Sequence, residues 1–227
     1  MKGSHVGGGL FSAVFTVSKI KKVYEKMRMI NAITITILLA VSSGQAYGAT
    51  KEGDFAVYGW GARNCNTILS VLQGDQAAQA RGQIAEWISG YITGQNRTGS
   101  SMYDLIPVKS HFALVGLAQN ICSKNLDQPF EGVVGAIVAK FSGWGFSEAN
   151  PLVSLSHNGQ TVEVNELTLS RVQKVLVTND LLDAAAADGK FGPQTASALE
   201  NWQKAAGLTP NGLPDMVTLF LMADQLE

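Results

Sequence analysis

Two corners of the same design lie near the C-terminus of this chain. The first reads DGKFGPQT, residues 188–195, and the second reads NGLPDMVT, residues 211–218. In each corner an Asx-Gly pair is followed by a threonine six residues after the glycine, and the copies are 23 residues apart. A glycine adopts positive φ easily, and a polar oxygen beside it can satisfy free amides at a helix start. The repeat therefore predicts a compact unit with two tight turns, each of which opens a helix.

Three helical segments surround the corners. The segment LTLSRVQKVLVTNDLL has Thr168 as its expected cap, PQTASALENWQKAAG runs from Pro193 to a stop at Gly207, and DMVTLFLMADQL has Asp215 near its start. Helical spacing predicts which side chains of the first two segments are buried. They are Val172, Val175, Leu176 and Leu182, then Thr195, Leu199, Trp202 and Ala206. We expect a three-helix bundle over residues 165–227.

The same residues resemble the peptidoglycan-binding domain family, a three-helix module found on many bacterial wall hydrolases. The family pattern has a V/L-Q pair, then D-G-x-F-G-x-x-T, then F-Q, and G-L-x-x-D-G before the third helix. The matching positions are Val172-Gln173, Asp188-Gly189-Lys190-Phe191-Gly192-Pro193-Gln194-Thr195, Trp202-Gln203 and Gly207-Leu208-Thr209-Pro210-Asn211-Gly212. Trp202 replaces the usual Phe and Asn211 the usual Asp. The resemblance implies that this unit binds peptidoglycan.

Most residues of this pattern are expected to be architectural. Phe191, Leu199 and Trp202 are expected in the core rather than on a surface where sugars stack. Ligand contacts then fall to the polar loop groups of Lys190 and Gln194.

The N-terminal part of the chain is typical of an export signal. Arg28 precedes INAITITILLAV, a mostly apolar run of 12 residues, and SSGQAYGAT with its small residues follows. We expect translation to start at Met27 or Met29, so that residues 1–48 comprise an upstream extension and a signal peptide. The alternative is an uncleaved membrane anchor, although the run is shorter than the roughly 20 residues that a spanning helix needs. The expected location is periplasmic or secreted.

Cys65 and Cys122 are the only cysteines of the chain. An even number of cysteines in an exported protein favours a disulfide, and distant cysteines without nearby histidines make a poor zinc site. We therefore expect a structural bridge, no metal and no cofactor. The alternative is a Cys-His nucleophile that uses His111 or His157.

Four short helices are predicted around these cysteines. Their sequences are NCNTILSVLQ, GDQAAQARGQIAEWISGYITGQN with Asp75 as cap, VKSHFALVGLAQNIC after Pro107, and FEGVVGAIVAKF after Pro129. The buried faces expected for the second and third are Ala80, Ile84, Trp87, Ile88, Tyr91 and Ile92, then Phe112, Val115, Ala118 and Cys122. The prediction is a disulfide-linked helical domain over residues 50–142.

This helical half resembles two groups of small periplasmic proteins. The features are the two cysteines, the Trp87-x-x-Gly90-Tyr91 segment, Asn96 and a Pro-led helix after the second cysteine. The acid-stress chaperone HdeA family and the Rap/Tai immunity proteins share that layout. The resemblance implies an all-α fold with one disulfide, and we transfer neither activity.

A linker with a hairpin is predicted over residues 143–164. SGWGFSEAN is typical of an exposed loop, and Asn158-Gly159 between two apolar and β-branched runs indicates a two-residue turn. Leu155 is expected to face Val162 or Val164. The fold class is thus mainly α, with the hairpin between two helical units.

The composition and motifs narrow the range of possible functions. The formal net charge of -1 disfavours nucleic acid as a partner. The chain contains neither a His-Glu-x-x-His nor a Gly-x-Ser-x-Gly motif. We expect a non-catalytic cell-envelope protein that binds peptidoglycan with its C-terminal module and a protein partner with its helical domain. The alternatives are a periplasmic immunity or inhibitor protein against a wall-degrading enzyme, and a cryptic wall hydrolase that uses Glu86 or His111.

Overall fold

The structure, a computed structural model, describes residues 54–98 and 102–225. These residues form seven α-helices and one two-stranded hairpin, which confirms the mainly α class. The elements are α1 Cys65–Val71, α2 Ala77–Thr98, α3 His111–Cys122, α4 Phe130–Phe141, β1 Leu152–His157, β2 Gln160–Asn165, α5 Glu166–Thr178, α6 Pro193–Ala205 and α7 Met216–Met222. The expected export signal lies outside the described residues. In the described ranges, no helix combines the length and the apolar character that crossing a membrane requires.

The predicted disulfide is confirmed. It joins Cys65, the first residue of α1, to Cys122, the last residue of α3, and both residues are fully buried. Asn64 caps α1, since its side chain accepts a hydrogen bond of 2.9 Å from the amide of Thr67. The bridge therefore ties the start of the helical half to its third helix, inside the core.

The predicted starts of α2 and α3 are wrong, and backbone contacts explain both differences. The carbonyl of Gln76, not a cap at Asp75, accepts the first helical bond of α2. Helix α3 begins at His111, where Ser110 is the cap, and not directly after Pro107. The chain between Pro107 and His111 is extended because Val108 forms a β-bridge with Val164. This pairing delays the start of α3.

The buried face of α3 also begins later than expected. Phe112 was expected in the core, but it is 60% exposed in the first turn of the helix. The buried stripe starts two residues further on, at Leu114 and Val115, and continues to Cys122.

The indole of Trp87 lies against a glycine-rich turn in front of α1. Its Nε1 donates a hydrogen bond of 2.8 Å to the carbonyl of Tyr58. A β-carbon built at Gly61 would lie 2.0 Å from Cζ2 of Trp87, so the ring occupies the space that any larger residue would fill. Trp87 also stacks on Tyr91 at 5.5 Å between ring centroids. Gly61 is thus required for close packing.

We expect Gly61→Ala to lower the free energy of unfolding by about 1–3 kcal/mol, the usual cost of overpacking a core. Gly94→Ala is the matched control, because Gly94 is exposed in α2 and a β-carbon there meets nothing within 4 Å. The control should stabilise the protein by about 0.5–1 kcal/mol through helix propensity. Urea unfolding followed by circular dichroism measures both, and equal effects of the same sign would contradict the packing argument.

The hairpin forms as predicted. His157 pairs with Gln160, so the loop has two residues, and Asn158 and Gly159 have φ angles of 49° and 76°. Leu155 pairs with Val162, and this face of the hairpin is turned to the core, where Leu155 is buried. The hairpin is therefore anchored on the helices through its apolar face.

The two halves share one core. A single cluster of buried hydrophobic residues runs from Cys65 in α1 to Met222 in α7. At the far end of the chain, Phe220 packs edge-on against Phe141 at 5.7 Å, and Lys140 pairs with Asp224 at 2.8 Å. The C-terminal bundle is therefore packed against the helical half.

The start of α5 reinforces this joint. Thr168, expected as the helix cap, lies inside the helix and is fully buried, because the helix begins at Glu166. Its hydroxyl donates to the carbonyl of Pro107 at 3.3 Å. Arg171 donates to the carbonyl of Gly145 at 3.2 Å, and burial lowers the pKa of its guanidinium. Because these contacts join the two halves, experiments should use both halves together rather than an isolated bundle.

Candidate functional site

A buried glutamine holds the first corner. Gln173 of α5 is fully buried, and its Oε1 accepts a hydrogen bond of 2.7 Å from the amide of Gly189. Its Nε2 donates to the carbonyl of Lys190 at 2.9 Å and to Oγ1 of Thr195 at 3.1 Å. One side chain thus joins the preceding helix, the turn and the helix that follows.

A second buried glutamine holds the second corner in the same way. Oε1 of Gln203, in α6, accepts from the amides of Asn211 and Gly212 at 2.8 and 2.9 Å. Its Nε2 donates to the carbonyl of Leu213 and to Oγ1 of Thr218, each at 2.9 Å. The bonds to the glycine amide, to the carbonyl of the next residue and to the threonine hydroxyl occur in both corners, so the repeat in the sequence is a repeat of one hydrogen-bonded arrangement.

The Asx residues of the corners also correspond. Oδ1 of Asp188 accepts from the amide of Lys190, and Oδ1 of Asn211 accepts from the amide of Leu213, each at 2.9 Å. Both are Asx turns, in which the side chain bonds the backbone two residues on. Gly189 then has a φ of 77°, the left-handed conformation that the sequence predicted.

The two threonines have a different role from the expected one. The sequence suggested a polar oxygen that satisfies free helix amides, but Thr195 and Thr218 are buried and accept from the glutamine side chains. The amide at the start of α7 is satisfied instead by Asp215, whose Oδ1 accepts from the amide of Thr218 at 2.8 Å. In the first corner the equivalent position is Gly192, which makes no side-chain cap.

The Asx residues give the corners different responses to pH. The hydrogen bond from the amide of Lys190 lowers the pKa of the exposed Asp188 carboxyl. Because the pKa of Asp188 is lower in the folded state, its carboxylate stabilises the corner at pH values above the unfolded-state pKa of about 4. This contribution is lost as the pH falls through the folded-state pKa. Asn211 does not titrate, so acid weakens this bond in the first corner only.

The predicted ligand contacts lie on the surface of the first corner. Lys190 and Gln194 are exposed, and Phe191 between them is half-buried. The backbone that carries them is fixed on both sides, since buried Gln173 bonds the carbonyl of Lys190 and the side chain of Thr195. Leu199 and Trp202 are fully buried as expected. The corner therefore presents two polar side chains on a rigid frame.

The tip of the hairpin lies between the two corners. Nε2 of His157 is 3.2 Å from Oε1 of Glu200 in α6, and the imidazole lies edge-on to Phe191 at 6.5 Å between centroids. A β-carbon built at Gly212 would lie 2.7 Å from Cδ2 of His157. Sequence reasoning missed this position because His157 is 34 residues before Phe191 and 55 residues before Gly212 in the chain.

The residues considered for catalysis are not part of this site. Glu86 is exposed on α2, and His111 is the exposed first residue of α3. Both cysteines are in the disulfide, so the Cys-His alternative has no free thiol. Over residues 54–98 and 102–225, no group of three or more His, Cys, Asp or Glu residues is arranged to hold a metal ion.

Comparison with known proteins identifies one segment. Residues 168–222 match a family model described as "Putative peptidoglycan binding domain". This segment contains both corners and both buried glutamines, and the match confirms the resemblance of the C-terminal bundle. No curated protein and no solved structure matches the chain. The resemblance of the helical half to the HdeA and Rap/Tai families stays a prediction.

Proposed function

Residues 168–222 form a domain of the peptidoglycan-binding family, and on this premise we propose that the chain is an exported, non-catalytic protein of the cell envelope. The C-terminal bundle docks it on peptidoglycan, and the helical half binds a protein partner. The observation that carries the proposal is the family match across both glutamine-held corners.

The first corner supplies the contact groups. Lys190 offers three donors on a flexible cation, and the amide of Gln194 offers both donors and an acceptor. Peptidoglycan presents carboxylates, amides and hydroxyls, which are the partners that such groups bond. Because the backbone beneath them is held by hydrogen bonds from the buried Gln173, little conformational entropy of the loop is lost on binding.

Exposed aromatic residues support the idea of a protein partner for the helical half. Tyr58 is 79% exposed and Phe55 is 54% exposed, and both belong to the segment that leads into α1. Aromatic side chains are enriched in protein interfaces, where their large area is removed from water. We place the partner surface at this segment.

Binding to purified sacculi tests the docking proposal. In the exported chain, Lys190→Ala combined with Gln194→Ala should weaken co-sedimentation about tenfold, since two polar contacts of roughly 0.5–1.5 kcal/mol each are lost. Lys204→Ala is the control, because Lys204 is an exposed cation in the last turn of α6. Binding of the double variant at wild-type strength would contradict the assigned surface, and a wild-type chain that stays in solution would contradict docking itself.

Two further measurements separate the proposal from its alternatives. Zymography of the wild-type chain should show no clearing of peptidoglycan, whereas clearing that Glu86→Gln or His111→Ala abolishes would support a wall hydrolase. Co-purification from envelope extract distinguishes the kinds of partner. Recovery of a wall-degrading enzyme that loses activity in the complex would favour the inhibitor function.

A further inference from the structure

We propose that the tip of the hairpin is part of the peptidoglycan-binding surface, and that His157 contacts the ligand there. This inference rests on the proposed function and extends it to a residue outside the family match, which begins at residue 168. It makes His157 a specificity-determining residue of this particular chain.

The position of His157 is the first argument. Its imidazole is in contact with the first corner through Phe191, with the second corner at Gly212, and with α6 through Glu200. Side chains of His157 and Glu200 each remain 28% exposed. A polar pair in partial contact with water, between two rigid turns, is accessible to a ligand bound at either corner.

The rigidity of the tip is the second argument. The turn Asn158-Gly159 has positive φ at both residues, which fits the two-residue connection of a tight hairpin. Leu155, two residues before His157 on the same face of the strand, is buried in the core. The imidazole is therefore held in place before any ligand arrives.

The chemistry of the combined surface is the third argument. The ring of Phe191 lies edge-on to the imidazole, and Phe191 lies between Lys190 and Gln194 in the chain, so the hairpin tip contacts the segment that carries the predicted ligand contacts. The surface offers a cation, an amide, an imidazole and a carboxylate beside a half-buried ring. These groups match the mixed donors and acceptors of peptidoglycan, and the hairpin supplies one of them.

Chemical protection tests the contact in the unmodified protein. Diethyl pyrocarbonate modifies accessible imidazoles, and mass spectrometry locates the modified residues. Purified sacculi should reduce modification of His157 at least fivefold and leave that of His111 unchanged, since His111 is exposed at the start of α3. Equal modification of His157 with and without sacculi, while the chain co-sediments with them, would overturn the inference.

A pair of variants tests the contribution to affinity. His157→Ala should weaken co-sedimentation of the exported chain with sacculi about fivefold. Thr161→Val is the matched control, because it removes the 2.9 Å hydrogen bond between Ser156 and Thr161 on the other face of the same hairpin. Melting temperatures of both variants report whether the fold is kept. If His157→Ala does not fold, the protection experiment on the unmodified protein tests the inference by itself.

The outcomes for the two proposals differ. If the wild-type chain binds sacculi and His157→Ala binds equally well, the inference is wrong and the proposed function stands. If Thr161→Val weakens binding as much as His157→Ala, the hairpin acts only through its fold, and the inference is again wrong. If the wild-type chain does not bind sacculi at all, the proposed function fails first.

Discussion

Gln203→Leu should lower the free energy of unfolding by about 3–5 kcal/mol. Leucine has nearly the volume of glutamine but no polar atoms, so the amide of Gly212 and the carbonyl of Leu213 lose their partners in a buried place. Each buried polar group left without a partner costs about 1–3 kcal/mol. The hydroxyl of Thr218 loses its donor as well. Urea unfolding followed by circular dichroism measures the change.

The first corner provides an internal comparison for this prediction. Gln173→Leu removes the equivalent bonds, but the amide of Gly189 and the carbonyl of Lys190 are only partly buried. Water can replace the lost partners there, so we expect a smaller loss of about 1–3 kcal/mol. An equal loss in both variants would contradict the argument that water replaces the lost partners in the first corner. A loss below about 1 kcal/mol for Gln203→Leu would show that this glutamine does not hold the second corner.

Removal of the disulfide is the second change with a large expected effect. The bond between Cys65 and Cys122 closes a loop with a sequence separation of 57. In the chain-entropy model a loop of this length stabilises the folded state by about 4 kcal/mol, because it restricts the unfolded chain. Replacing both cysteines with alanine should therefore lower the melting temperature by roughly 10 °C, at about 2–4 °C per kcal/mol.

The effect of reductant on unfolding supplies the control for this prediction. Both cysteines are fully buried, so reductant should act on the wild-type chain only once it unfolds. Unfolding with reductant present should therefore move the wild type toward the double alanine variant, and the variant itself should not respond. A wild-type midpoint that stays the same with reductant would contradict a stabilising role of the bridge.

Much of the local structure was predictable because its causes are local. Gly207 ends α6 with a φ of 75°, and the amide of Leu208 bonds the carbonyl of Gln203 at 2.8 Å, as glycine stops commonly do. Pro193 is the first residue of α6, where its missing amide costs nothing. The turn at Asn158-Gly159 follows from the φ angles that these two residue types tolerate.

Two of the failed predictions have a distant partner as their cause. The start of α3 was placed too early because Val108 pairs with Val164, a contact that no local pattern announces. The sequence predicts Thr168 as a cap, but its side chain is buried against the carbonyl of Pro107, 61 positions earlier in the chain. A threonine at a helix start is equally compatible with both roles until the neighbouring half is in place.

The candidate site shows the same division. The family pattern named Gln173 and Gln203, but not what they do, since one lies 16 and the other 9 residues before the glycine that it bonds. Because these separations are unequal, the 23-residue repeat of the corners does not include the glutamines, and their equivalent roles are visible only in the structure. The sequence suggested His157 only as a partner for a cysteine nucleophile, whereas the structure places it between the corners.

By itself the sequence determined the helices, the hairpin turn and the bend at each Asx-Gly pair, because backbone preference and short-range periodicity act over a few residues. Its motifs also determined the family of the C-terminal bundle. Only the tertiary structure decided which polar atoms meet. It joined both halves in one core, satisfied each corner through a glutamine from the preceding helix, and seated the hairpin tip beside them. Such contacts depend on burial and on residues far apart in the chain, and those arise only when the whole chain packs.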